Sequence, residues 1–122
     1  MNVTKNLKAT DFELKENKLC ISQKLMNNKF GLLLVHAKWC GYCVRFKPTY
    51  EEIHKLLNKN FNCMALEDVE LEKNNLNKYL KIVSYPTLLW VDKKGNIIGR
   101  YEGNRDKSVL LREICKKFHS CV

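Results

Sequence analysis

The amino-acid sequence predicts an α/β fold, a central mixed β-sheet flanked by helices on both faces. Two features predict it. Short apolar runs alternate with stretches whose apolar residues recur every three or four positions, and a β-hairpin followed by a last helix closes the order. The 122 residues suit one domain, taken as residues 1–122. Folding at this length buries about two-thirds of the exposable surface without staples of disulfide or metal. No repeat, low-complexity tract or Pro/Gly-rich linker divides the chain. An apolar fraction of 45% beside 29% charged residues excludes a wholly disordered or collagen-like chain.

Each element has its own signal. Phe12 and Leu14 alternate with Glu13 and Lys15, which predicts a short edge strand, and Leu19 to Met26 would carry the first helix. Phe30 to Ala37 is apolar except for His36, the pattern of a central strand covered on both faces. From Cys40 the period turns helical, with Cys43, Phe46, Tyr50, Ile53, Leu56 and Leu57 on one side. The helix reaches about Asn58, kinked rather than ended by Pro48. Phe61 to Val69 reads as a second strand and Asn74 to Leu80 as a short helix. Thr87–Val91 and Ile97–Tyr101 flank Lys93-Lys94-Gly95-Asn96, a hairpin with its turn glycine in place. Asp106 suits the N-cap of a last helix with Val109, Leu110, Ile114 and Phe118 on its apolar side.

The chemistry concentrates in Trp39-Cys40-Gly41-Tyr42-Cys43, where the buried strand hands over to a helix. Cysteines at i and i+3 on a first helical turn sit nearly on one face, within the Cα separation a disulfide needs. Cys40 would lie where unpaired N–H groups and the positive end of the helix dipole favour an anion. Its thiol should ionise below the reference value of about 8.5, and the thiolate is the attacking species. Cys43, one turn further in, would attack the resulting mixed disulfide and release the product. A Cys-x-x-Cys pair also fits half of a zinc or iron–sulfur site. No second such pair exists, and Cys20, Cys63, Cys115 and Cys121 lack ligand spacing, so neither metal nor cofactor is expected. Cys20, Cys63 and Cys115 read as small buried hydrophobes and Cys121 as an exposed thiol. His36 and His54 read as structural or solvated.

The run Trp39-Cys-Gly-Tyr-Cys-Val-Arg-Phe-Lys-Pro-Thr-Tyr-Glu51 resembles the active-site helix of the thioredoxin superfamily, and specifically of protein disulfide isomerase-type domains. Tyr85-Pro86-Thr87-Leu88-Leu89-Trp90 resembles the family's cis-proline strand, and Tyr101-Glu-Gly-Asn-Arg105-Asp106 is similar to its C-terminal strand and loop. The resemblance implies a thioredoxin fold and a redox-active Cys40–Cys43 disulfide, with Cys40 as nucleophile and Cys43 as resolving thiol. It implies a cis Pro86 facing that pair, and a Tyr85 backbone that bonds an extended substrate. Trp39, Gly41 and Tyr42 would border the substrate site. Arg105 would act as a modulator, its guanidinium favouring the Cys43 thiolate. The chain departs from the family at Leu34, where a buried acid six residues before the nucleophile usually relays protons. It departs again at Gly41-Tyr42, which supplies no imidazole.

The net charge of +9 could suit nucleic acid or an acidic partner. The lysines are spread along the whole chain and acids interrupt them at Glu67 to Glu72, so a solvated surface is the better reading and nucleic acid is not expected as a partner. The longest apolar run, Gly31 to Val35, is far short of the roughly 18 residues of a membrane span. Met1–Lys8 carries no apolar leader, and His119–Val122 matches no retention tetrapeptide. The expectation is a cytoplasmic monomer, with an oxidising lumen like that of the endoplasmic reticulum as the alternative. It would act on disulfide-containing or dithiol proteins with an unidentified electron donor or acceptor. The functional alternative is a peptide-binding module of the same fold with weak or no turnover. In glutathione buffers the Cys40–Cys43 couple should titrate between about −270 and −180 mV, the thioredoxin and isomerase values; a potential well outside that window would refute the expectation.

Overall fold

The computed structural model describes residues 4–57 and 59–122; residues 1–3, and Asn58 where the long helix was expected to end, lie outside the described residues. Strand β1 (Lys5–Leu7) and a 3-10 turn over Ala9–Asp11 precede a hairpin of β2 (Phe12–Lys15) and β3 (Lys18–Ile21). Then come the one-turn helix α1 (Gln23–Met26), strand β4 (Gly31–His36) and the long helix α2 (Gly41–Leu57). Strand β5 (Asn62–Glu67) leads through two short helices, α3 (Asp68–Leu71) and α4 (Leu76–Leu80). Strands β6 (Thr87–Val91) and β7 (Ile97–Tyr101) and helix α5 (Lys107–Phe118) complete the chain.

The main sheet runs β1-β5-β4-β6-β7. Strand β4 lies parallel to β5, which lies parallel to β1, and β4 pairs antiparallel with β6, so the sheet is mixed. Every residue of β4 is buried, because alternate side chains feed two cores. Leu33 and Val35 join Met64, Leu66, Leu89 and Val91 under α1, α3 and α4, through Met26, Leu71, Leu76 and Leu80. Leu32 and Leu34 join Cys63, Leu88 and Trp90 under α2 and α5, through Phe46, Tyr50, Ile53, Leu57, Leu110, Ile114 and Phe118. This is the thioredoxin fold, with helices on both faces of a mixed sheet. Burying each such leucine contributes about 1.5–3 kcal/mol, which holds β4 and the start of α2 in one geometry.

The hairpin β6–β7 is closed by Asp92, whose carboxylate accepts from the Lys94 and Asn96 N–H groups at 2.9 Å each. Gly95 has φ +91°, and a Cβ there would stand 2.0 Å from the Ile21 carbonyl oxygen, so only glycine lets β3 dock on this turn. Asp106 is the N-cap residue of α5, yet its side chain caps nothing. Its N–H instead donates to Asn104 Oδ1 at 2.7 Å.

Three expectations from the sequence are corrected. Leu19 to Met26 is not one helix: Glu16 and Asn17, both at positive φ, turn the chain back so that Lys18–Ile21 pairs with Phe12–Lys15. Helix is left only for Gln23–Met26 before Asn27 enters the left-handed region. The strand at Phe12 is therefore half of a separate two-stranded sheet, and the edge of the main sheet is β1. Cys115 and Cys121 are joined in a disulfide rather than being a buried hydrophobe and a free thiol. Six positions apart on a continuing helix they would face different ways, but His119 at φ +59° ends α5 and folds the chain back, bringing the two Cα atoms to 4.5 Å. Opening this link should cost about 2 kcal/mol, the chain-entropy value for so short a loop. Urea unfolding of a Cys115→Ser/Cys121→Ser variant measures it, with Cys40→Ser and Cys43→Ser in both proteins; an unchanged midpoint would show that the link adds no stability.

Candidate active site at the head of helix α2

The apolar run of β4 ends at His36, and the next residues turn into α2. The Cys40 N–H donates to the Ala37 carbonyl at 3.2 Å, and the Val44 N–H donates to the Cys40 carbonyl at 3.1 Å, which starts the helix. The Cys43 N–H donates to Cys40 Sγ at 3.3 Å. The sulfur thus takes the place of an N-capping oxygen, accepting from a first-turn donor that no backbone carbonyl can reach. An anion is favoured at that spot, and the Cys40 pKa falls below the ordinary thiol range. The leading cause is the hydrogen bond from the Cys43 thiol, followed by the Cys43 and Tyr42 N–H groups and the charge of Arg105.

Cys43 is 1% exposed against 7% for Cys40. Burial pushes the Cys43 thiol up to about 11, with the facing Cys40 sulfur adding to the rise and Arg105 opposing it. Both thiols are free. The two therefore differ by environment alone, one biased toward its anion and the more deeply buried one kept protonated behind it.

The other expected site residues surround this pair. The Tyr85–Pro86 bond is cis, and Cys40 Sγ lies 3.5 Å from the Tyr85 carbonyl oxygen. Trp39 is 72% exposed, meets the Tyr85 ring edge-on at 5.6 Å, and donates from Nε1 to Asp68 Oδ2 at 2.9 Å. Gly41 and Tyr42 are exposed on the first turn of α2. Arg105 lies over the Phe46 ring at 6.0 Å and shares a cleft of about 180 Å³ with Pro86 and Thr87. The loop carrying Arg105 is pinned by the Tyr101 hydroxyl, which donates to the Asn104 carbonyl, and a Cβ on Gly103 would stand only 2.5 Å from that hydroxyl oxygen.

Leu34 is fully buried, and its partners across the sheet are Ala65 and Leu88. The layer beneath α2 is thus apolar where an acid was expected from the family pattern. His36 is buried at the end of the same strand, its pKa lowered first by burial and then by Lys47. The pKa of His54 is also lowered by burial. Neither histidine is among the groups that shift Cys40 or Cys43. Cys20 and Cys63 are buried, and burial holds the Cys63 thiol at about 12. Among the described residues no cluster of three metal-ligating side chains occurs, and no helix is long and apolar enough to cross a membrane.

Two neighbours of the site were not anticipated. Asp68 holds Trp39 from a different strand end, a contact across 29 residues that no local pattern announces. Arg45 stacks on Tyr42, its guanidinium 4.8 Å from the ring centroid. The i, i+3 spacing of that pair on a helix was a usable signal.

Comparison with known proteins agrees with this architecture. Residues 12–116 match the family model described as Thioredoxin. Protein disulfide-isomerase tigA of Aspergillus niger is 29% identical over 94 residues, covering 76% of this chain and 26% of that protein. Protein disulfide-isomerase A4 of Bos taurus is 35% identical over 83 residues, covering 66% of this chain and 13% of that protein. The chain thus spans about a quarter or less of the length of these relatives. Among solved structures, the Trx4 domain of ERdj5 superposes with TM-score 0.72 at 16% identity, over 96% of each chain. Human ERp44 form II gives TM-score 0.73 at 16% identity, over 95% of this chain and 30% of that one. A buried strand delivering two cysteines to the head of a helix, opposite a cis-proline, is thus found in a chain that belongs to the thioredoxin family.

Proposed function

We propose that this chain is a thiol–disulfide oxidoreductase that reduces, forms or isomerises protein disulfides through Cys40 and Cys43. The observation that carries the reading is the asymmetry of the pair: Cys40 has a lowered pKa at the head of α2, while Cys43 is held near 11 by burial behind it. In the reducing direction the Cys40 thiolate attacks one sulfur of the substrate disulfide. A Cys40–substrate bond forms and the other substrate sulfur leaves with the electron pair. Cys43 then loses its proton, attacks Cys40 Sγ and expels the second substrate thiolate. Two electrons reach the substrate and the Cys40–Cys43 disulfide remains.

The intermediate changes the environment of Cys43. Once Cys40 is bonded to substrate its negative charge is gone, while the attraction of Arg105 persists, so Cys43 ionises more readily than in the free dithiol. Arg105 is accordingly the modulator of the second step. Leu34 and Ala65 leave no carboxylate below to take the proton, so water or the departing thiolate receives it. An extended substrate would lie along Tyr85 and cis Pro86, bordered by Trp39, Gly41 and Tyr42, in the manner of strand addition.

For the compartment we favour an oxidising lumen over the cytoplasm suggested by the sequence. The Cys115–Cys121 link supports this, because such bonds persist where the surroundings are oxidising. Similarity to protein disulfide-isomerases supports it as well. The partners on this reading are disulfide-containing or dithiol proteins. A peptide-binding module with weak turnover is the second reading, and buried Leu34 is the observation that favours it.

Reduction of insulin separates the two readings. The oxidoreductase should turn over and lose all activity in Cys40→Ser, whereas equal rates for both proteins would leave the binding module. Leu34→Glu should speed resolution of the mixed disulfide while lowering stability, since it puts a carboxyl group into an apolar layer; an unchanged resolution rate would remove Leu34 from the account. Iodoacetamide should alkylate Cys40 first, with a midpoint below the ordinary thiol range, and Cys43 only at higher pH; equal reactivity of the two thiols would refute the asymmetry. Arg105 lowers both thiols, so Arg105→Gln should move both midpoints upward; no movement would dismiss its role.

A further inference from the structure

Helix α2 places a second guanidinium near the site, that of Arg45. Tyr42 and Arg45 are neighbours on its exposed face, three positions apart, and the guanidinium carbon lies 4.8 Å from the centre of the Tyr42 ring. Tyr42 is 65% exposed, so the pair stands in solvent at the mouth of the site rather than inside it. The same guanidinium also lies along the backbone beside the nucleophile: a Cβ built on Gly41 would stand 3.4 Å from one of its terminal nitrogens. Arg45 therefore lies against both the Tyr42 ring and Gly41, the residue that follows Cys40.

A guanidinium carries five N–H donors around its edge and none on its face, so a ring over its face leaves them free. None of the ion pairs seen among the described residues takes up Arg45. The group is thus charged, placed beside the Tyr42 ring and in none of those ion pairs, so its fork can meet a planar anion. Such a fork matches a carboxylate. Arg105 and the overall charge of +9 act in the same direction on an approaching substrate.

We propose that Arg45, oriented by Tyr42, is a specificity-determining residue that reads an aspartate or glutamate close to the reacting cysteine of a disulfide substrate. This rests on the oxidoreductase reading and names its substrate class, acidic disulfide-bearing segments. The carboxylate takes no part in the covalent step. The electron pair still passes from the Cys40–Cys43 dithiol to the substrate disulfide, and the ion pair only raises the occupancy of the attacking geometry. The effect belongs in KM more than in kcat, and salt weakens it because the pair is exposed.

The test uses three synthetic disulfide peptides that differ at one position, two residues from the cysteine, carrying Glu, Gln or Lys. Each rate is divided by the same peptide's rate with dithiothreitol, which removes the effect of the neighbour on the leaving thiol. The wild-type chain should prefer Glu over Gln in kcat/KM by about two- to fivefold, the size of an exposed ion pair, and lose that preference at high salt. Arg45→Gln should bring the Glu-to-Gln ratio to about one, and Arg45→Glu should shift the preference to the Lys peptide. Each readout is a ratio within one protein, so a general loss of activity in a variant does not mimic the result. A wild-type ratio of one, or a ratio unchanged in Arg45→Gln, overturns the proposal and leaves the oxidoreductase reading intact. No reduction of any peptide overturns that reading, and this one with it.

Discussion

The hydrogen bond from the Cys43 N–H to Cys40 Sγ is the interaction around which the site is arranged. It exists because a helix leaves its first donors unpaired, and here a sulfur takes up one of them. An alcohol at this position would also cap the helix, yet only a thiol converts the cap into a nucleophile near neutral pH, because a thiolate is far easier to form than an alkoxide. One contact therefore ends the β4 connection, starts α2 and biases the first thiol toward its anion. Placing Cys43 one turn later on the buried side follows from the same helix, and burial supplies the opposite bias.

That contact holds its geometry only because β4 cannot move. The strand gives Leu33 and Val35 to one core and Leu32 and Leu34 to the other, and all four are fully buried. Interiors of this density do not deform smoothly, so the end of β4, and with it Cys40, is set by packing on both faces. The opposite wall is set by different means. Tyr85 and Pro86 enter β6, whose register with β4 runs through Leu34 and Leu88, so both walls of the site are tied to adjacent strands of one sheet. Arg105 comes from a loop instead, and the Tyr101–Asn104 bond restricts what would otherwise be its loosest member.

What was legible in the sequence follows from the range of each interaction. Central strands, the long helix and the β6–β7 hairpin announced themselves through local period and one turn glycine, and the observed bounds at Gly31–His36, Gly41–Leu57 and Lys107–Phe118 lie close to those expected. Strand β1 left no pattern, since three residues with one buried side chain carry no period. Leu19 to Met26 misled because four apolar-rich strand residues followed by one helical turn mimic a short amphipathic helix. At the site, the two cysteines, the proline and the arginine were visible as motif residues. The hold of Asp68 on Trp39 and the Cys115–Cys121 bond were not, because each depends on where a chain reversal or a distant strand end brings its partner.

Replacing a buried acid by Leu34 has a consequence for the balance of activities. In the proposed mechanism the buried Cys43 thiol must ionise before it can resolve the mixed disulfide, and Leu34 and Ala65 supply no acceptor for its proton. Slower resolution lengthens the life of the mixed disulfide. During that time another thiol of the same substrate competes with Cys43 for the Cys40–substrate bond. When the substrate thiol wins, a new substrate disulfide forms, Cys40 departs as a thiolate and no net electrons are transferred, which is isomerisation. When Cys43 wins, the outcome is net reduction. On the proposed mechanism an apolar layer under α2 would shift the partition toward reshuffling, while the charge of Arg105 would pull it back toward reduction by easing ionisation of Cys43. On the proposed mechanism this ratio would depend on two residues of different elements, Leu34 in β4 and Arg105 before α5.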